Sequence, residues 1–177
     1  MKVSELQEKF IGELDKLLPE WKFVKRERHF KLKREDVVWF FHISFINHES
    51  DFDAVGNVAV EYLSGKERVC IIGAELGNIE GSGQTRFPVS SLNEATSSSR
   101  CIYDLFVKVG QPFLLKFSNP NEVVSTLKRG GKEAMQISPL INQHETQINR
   151  LCQEYSIGMQ QAATPEKFQE KHIDTHN

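Results

Sequence analysis

Long apolar runs are missing from this sequence. Nothing approaches the roughly 18 consecutive apolar residues of a membrane span, and the opening MKVSELQEKF has no signal-peptide core. The expectation is a cytoplasmic chain without a membrane partner. Cysteine is scarce and odd in number: Cys70, Cys101 and Cys152 form no C-x-x-C pair, which argues against a disulfide framework or a cysteine zinc site. Neither charge sign dominates. A net charge of −2 makes general nucleic-acid binding by counterion release an unfavourable reading. Nucleotide and nucleophile signatures are lacking too. Gly77, Gly81 and Gly83 match neither G-x-G-x-x-G nor G-x-x-x-x-G-K-[ST], and there is no G-x-S-x-G elbow. No cofactor is expected.

What is present is bulky core material, 12 Phe, 3 Tyr and 2 Trp in 177 residues, enough for one α+β domain spanning residues 1–177. Ser4 and Gln7 form a capping-box pattern, followed by Leu6, Phe10, Leu14 and Leu17 at helical spacing until Pro19. This reads as a helix over residues 1–18 that lies on a sheet, with Phe10, Leu14 and Leu17 against Trp39, Phe41 and Ile43.

From residue 21 to residue 76 the period becomes two. Trp21 and Phe23 alternate with Lys22, and Phe30 and Leu32 with Lys31, predicting a first hairpin. Val37–Ile46 is apolar at every odd position and mixed at the even ones, the pattern of a central strand with a partly covered second face. Val55–Leu63 and Arg68–Leu76 complete a five-stranded antiparallel meander, joined by a turn at Ser64–Lys66. Residues 77–100, rich in Gly, Ser and Thr, read as a long polar loop. Residues 101–177 read as a helical half. It contains a stripe from Cys101 to Val109 stopped by Gly110, a short helix at Pro112–Phe117, and a helix capped by Ser118 or Asn119 and ended by Gly130-Gly131. A polar helix from about Pro139 to Tyr155 follows, with a last helix start at Thr164-Pro165-Glu166.

Together with the opening helix, the stretches WKFVKRERHFKLKREDVVWFFHISF and GQPFLLKFSNPNEVVSTLK resemble an uncharacterised bacterial domain-of-unknown-function family, over residues 6–129. The resemblance implies a helix, a β meander and a Pro-Phe-Leu turn before a helix, and it carries no catalytic residue across. Some families of this make-up are encoded beside toxins and act as immunity proteins, which implies a protein partner.

Four groups of residues are candidate sites. The loop Glu49, Asp51, Phe52 and Asp53 offers an exposed aromatic among acids, suited to a cationic partner such as a toxin. From Asp36 to Arg100 the chain has 9 acids against 4 basic residues, which supports that sign. This loop is the leading site of a non-enzymatic protein-binding domain. His42, Ser44, Asn57 and Glu61 fall on the less apolar sheet face, where a small hydrolase or ligand-binding enzyme would work. The basic stretch from Lys22 to Arg34, interleaved with Trp21, Phe23, His29 and Phe30, would suit an RNA-binding accessory domain. His172 and His176 have metal-ligand spacing but no third ligand, so no metal is expected.

Overall fold

The computed structural model describes residues 2–158; the helix start at Thr164 and the pair His172 and His176 lie outside them. The period-two segment forms the expected meander. β1 (Lys22–Val24), β2 (His29–Arg34), β3 (Val37–Asn47), β4 (Phe52–Ser64) and β5 (Glu67–Glu75) lie side by side in chain order, all antiparallel. Tight turns join them, with Glu35 at φ 44° between β2 and β3 and Gly65 at φ 60° between β4 and β5. β4 is longer than β5, and the unpaired part of its edge receives a sixth strand, β6 (Phe87–Val89), on Phe52, Asp53 and Ala54.

The first face of the sheet carries the core. Val37, Trp39, Phe41 and Ile43 of β3 and Val58, Val60 and Tyr62 of β4 are all buried. Across them runs one continuous helical rod: α3 (Leu92–Leu105), a π-helical turn (Phe106–Gly110) and α4 (Gln111–Lys116). Phe106 stacks on Phe41 with ring centroids 4.4 Å apart. Gly110 therefore does not stop a helix. Its backbone is helical, and a Cβ there would lie 2.8 Å from the Phe106 ring, 2.9 Å from Leu76 and 3.2 Å from Val58. The residue is glycine because the rod approaches the sheet closely at that point.

α1 (Val3–Leu17) begins earlier than the capping pattern implied. Ser4 lies inside it, and the Lys2 N–H donates to the Glu5 carboxylate at 3.1 Å. The helix packs mainly on α3. It meets the sheet through Phe10, set edge-on to Phe45 and Phe52 at 6.0 Å each. Leu18 is buried in place of Leu17. The partners of Trp39 are Trp21, at 6.3 Å, and Ser118, whose oxygen accepts its indole N–H at 2.7 Å.

The polar segment 77–100 is not a loop. It holds most of α2 (Leu76–Glu80), all of β6 and more than half of α3. Beyond α4, Asn119 caps α5 (Pro120–Arg129) by accepting from Asn121 N–H at 3.0 Å. Gly130 ends α5 and α6 (Gly131–Ile137) follows at once, an element the sequence reading lacked. α7 (Ile141–Glu154) packs on α5 and along β5, where Gln147 donates to the Ile71 carbonyl at 3.5 Å.

Gly110→Ala tests this packing. Alanine favours a helix over glycine by about 1 kcal/mol, yet here its methyl group meets three side chains. Overpacking costs of about 1–3 kcal/mol outweigh that gain, so thermal denaturation of the variant is expected at a lower temperature than wild type.

Candidate functional site

The acidic loop is rearranged by the strand that follows it. β4 starts at Phe52, and the alternation of that strand drives Phe52 fully into the core, 0% exposed, against Phe10 and Phe45. The exposed aromatic expected there does not exist. Asp53 is half-buried, ion-paired with Arg86 at 3.7 Å and within 3.4 Å of the His48 ring nitrogen Nε2. The His48 N–H donates to the Asp51 carbonyl at 2.9 Å, closing a tight turn. Only Glu49, on the exposed apex, and the partly buried Asp51 are left to face solvent.

The second face of the sheet is where the register assembles polar chemistry. Val24, His29, His42, Asn57 and Glu75 form one transverse row across the five strands. Lys22, Lys31, Phe40, Ala59 and Gly73 form the next, and Lys33, Val38, Glu61 and Ile71 a third. His42, Asn57 and Glu61 do share this face, as their parity implied, but Glu61 stands two rows from His42. Its carboxylate is held by Arg68. The basic stretch is divided by the same alternation. Lys22, Lys31 and Lys33 point to the second face, while Lys25, Arg26 and Arg28 gather beside α1, where Lys25 meets Glu8 at 3.5 Å.

His42, Ser44 and Asn57 form a short relay. Asn57 Nδ2 donates to Ser44 Oγ at 3.3 Å, and Ser44 Oγ lies 3.3 Å from His42 Nδ1. Burial lowers the His42 pKa, with His29 and Arg28 adding to the effect, so the ring is neutral at neutral pH. The arrangement that satisfies all three groups has Ser44 giving its proton to Nδ1, which leaves Nε2–H as a donor.

Beside this relay runs an open groove of about 880 Å³, walled by α6 through Lys132, Met135 and Gln136 and lined also by Gly81 and Gly83. Its floor is Ala59 beside Gly73, and a Cβ at Gly73 would lie 2.6 Å from the Val58 carbonyl oxygen. Glu75 lines the groove with its oxygens already committed. It accepts from the amides of Gly77 and Asn78 at 2.9 Å and of Thr85 at 3.3 Å, tying down the chain segment between β5 and β6.

The sequence reading found His42 and Asn57 by strand parity. It missed Gly73, Met135 and Lys132, since α6 was unread and the floor exists only through pairing. Cys70 is buried and its thiol is pushed up to about 12, which makes it unreactive. Among the described residues no cluster of three His, Cys, Asp or Glu could hold a metal.

Phe52→Ala is expected to lower stability by about 3–5 kcal/mol, the usual cost of truncating a buried Phe, as read by denaturant titration. An interface residue would leave the unfolding midpoint in place.

The two histidines set a pH dependence. His29, like His42, has its pKa lowered chiefly by burial, against an opposing pull from Glu27. Between the folded values and the unfolded 6.5, the unfolded chain binds more protons, so stability rises with pH there. Melting temperature should be full above 6.5 and fall as pH drops through it, and His42→Gln should flatten that slope. Glu13, held down to about 2 by Lys16 and Lys9, loses its contribution only as pH falls from the ordinary 4.5 toward 2, so the two effects separate.

No protein-family model, curated protein or solved structure matches this chain, so the likeness drawn from its sequence stays a likeness and the geometry of the second sheet face carries the functional reading.

Proposed function

We propose that this chain is a binding domain without catalytic chemistry of its own, and that it takes an acidic protein surface onto the uncovered half of its second sheet face. The observation behind this is the position of Phe40. It sits at the middle of β3, half-buried, edge-on to His29 at 4.8 Å, with Val38 beside it. α6 and α7 border this face only at the β5 end. Lys22, Lys31 and Lys33, all exposed, flank the aromatic on the β1–β2 side.

An aromatic anchor inside a charged rim is the arrangement that dominates interface energies. A lysine rim speeds docking of an opposite surface. The expected partner sign is therefore reversed from the one the acidic loop suggested. The toxin-neutralising form of this reading comes from the sequence resemblance and from no residue on this face.

The contact between His42 and Ser44 favours a second reading, a small hydrolase. A serine nucleophile needs a base that a third group orients. Here the two carboxylates of the face are both engaged, Glu61 by Arg68 and Glu75 by backbone amides. Ser44 also receives a donor from Asn57. Binding is the reading that uses these groups as they stand.

The test is capture of a partner from lysate of the source cell by the full chain. Phe40→Ser combined with Lys31→Glu should abolish capture, and Lys31→Glu alone should slow association and reduce its salt dependence. Glu49→Ser with Asp51→Ser should retain the partner. Loss of capture through the acidic pair, with the Phe40 variant unaffected, sinks this proposal.

A further inference from the structure

The groove beside the relay has a chemistry that the docking face does not require. Its floor at Ala59 and Gly73 is low, because Gly73 has no side chain and a Cβ there would meet β4 at the Val58 carbonyl oxygen and the Ala59 Cβ. One end presents a donor and an acceptor side by side. With Ser44 donating to Nδ1, His42 offers Nε2–H, and Asn57 keeps Oδ1 as an acceptor, since its Nδ2 donates to Ser44. The two residues are direct partners across β3 and β4, a pairing that holds Cβ atoms about 4.5–5.5 Å apart.

A molecule that answers this pair must carry an acceptor and a donor on one edge. A trans peptide group points them in opposite directions. The pairing edge of a nucleobase carries them together, and it is the edge by which proteins read an unstacked base. The opposite wall supplies Met135, a polarizable side chain suited to an aromatic ring, and Lys132, an exposed cation. Glu75 is the one carboxylate in the lining, and backbone amides hold it.

We infer that this groove binds a nucleobase bearing a phosphate. The base lies flat on Ala59 and Gly73 with its pairing edge on His42 and Asn57, and the phosphate lies toward Lys132. The volume of about 880 Å³ falls in the usual range for small-ligand sites, roughly 300–1,000 Å³. The unit comes from a free nucleotide or from a single strand. This inference does not rest on the docking proposal, since neither Phe40 nor Lys31 lines the groove.

The experiment is a chemical-shift titration of the full chain with uridine, uridine monophosphate and a short oligouridylate. The monophosphate should give saturable shifts at the amides of Asn57, Gly73 and Gly81. Lys132→Glu should weaken it about tenfold or more and leave uridine unchanged, while Asn57→Leu should weaken both. Lys132 is exposed, so that variant remains informative even where Asn57→Leu fails to fold. Oligouridylate binding more tightly than the monophosphate, with shifts spreading to Lys31 and Lys33, identifies a strand as the source; equal binding identifies the free nucleotide. Absence of saturable shifts in the groove with all three probes, or monophosphate binding indifferent to Lys132→Glu, overturns the inference. Either result leaves the docking proposal intact if Phe40 and Lys31 still govern partner capture.

Discussion

Eleven consecutive residues of β3, Val37 to Asn47, pair with β4 from Tyr62 back to Phe52. That ladder fixes the position of almost everything else. A slip of one residue would send Phe41 and Ile43 to the second face and His42 into the core. The register is held by the size of what the first face buries. Phe41 lies under Phe106, Val58 lies against the helical rod at Gly110, and Tyr62 donates to the Phe117 carbonyl. The juxtaposition of His42 and Asn57 is thus a by-product of core packing on the opposite side of the sheet. No local loop has to hold it, which favours a rigid recognition pair.

The asymmetry of the sheet edge produces the groove. β5 covers β4 only from Asn57 onward, and β6 covers it from Phe52 to Ala54. The chain must therefore leave the sheet after Glu75 and return at Phe87. It makes this excursion as α2 and the glycine-bearing turn whose Gly81 and Gly83 line the groove. Glu75 is at once the last residue of β5, the cap of α2 and the anchor of Thr85. On the other flank α6 stands immediately after α5, because Gly130 and Gly131 both take positive φ and turn the chain sharply. Both chain reversals contribute residues to the lining of the cavity.

The meander was legible because its side chains obey period two over long runs. The same parity placed His42 and Asn57 on one face. Phe52 was misread for want of a start point: β4 begins there, three residues before the apolar alternation becomes plain at Val55. Residues 92–100 look like loop composition, yet they join the stripe that starts at Cys101 in one helix whose buried side is Ala95, Ser99 and Ile102, continuing to Phe106. Small and polar residues serve there because the rod packs closely. A cap signature was present all the same: Ser91 accepts from Glu94 N–H at 3.2 Å, and Glu94 accepts from Ser90 N–H at 2.7 Å. Gly73 and Gly110 are glycine for reasons of approach between elements distant in sequence, which no local pattern encodes.

Net charge misleads for this molecule because opposite charges are not distributed alike. Many of its carboxylates are neutralised at short range. Glu13 is shared by Lys9 and Lys16, Glu80 is paired with Lys108, and Glu133 with Lys116 and Arg129. Glu61 and Glu75, the carboxylates of the second face, are bound by Arg68 and by backbone amides. An approaching molecule senses charges within about a Debye length, roughly 8 Å at physiological salt. At the second face these include Lys22, Lys31, Lys33 and Lys132, with Glu27 beside His29 as an opposing exposed acid, so lysines predominate there although the chain carries −2. A weak net charge therefore constrains indiscriminate binding over the whole surface. It places no limit on an anionic partner that meets this one face.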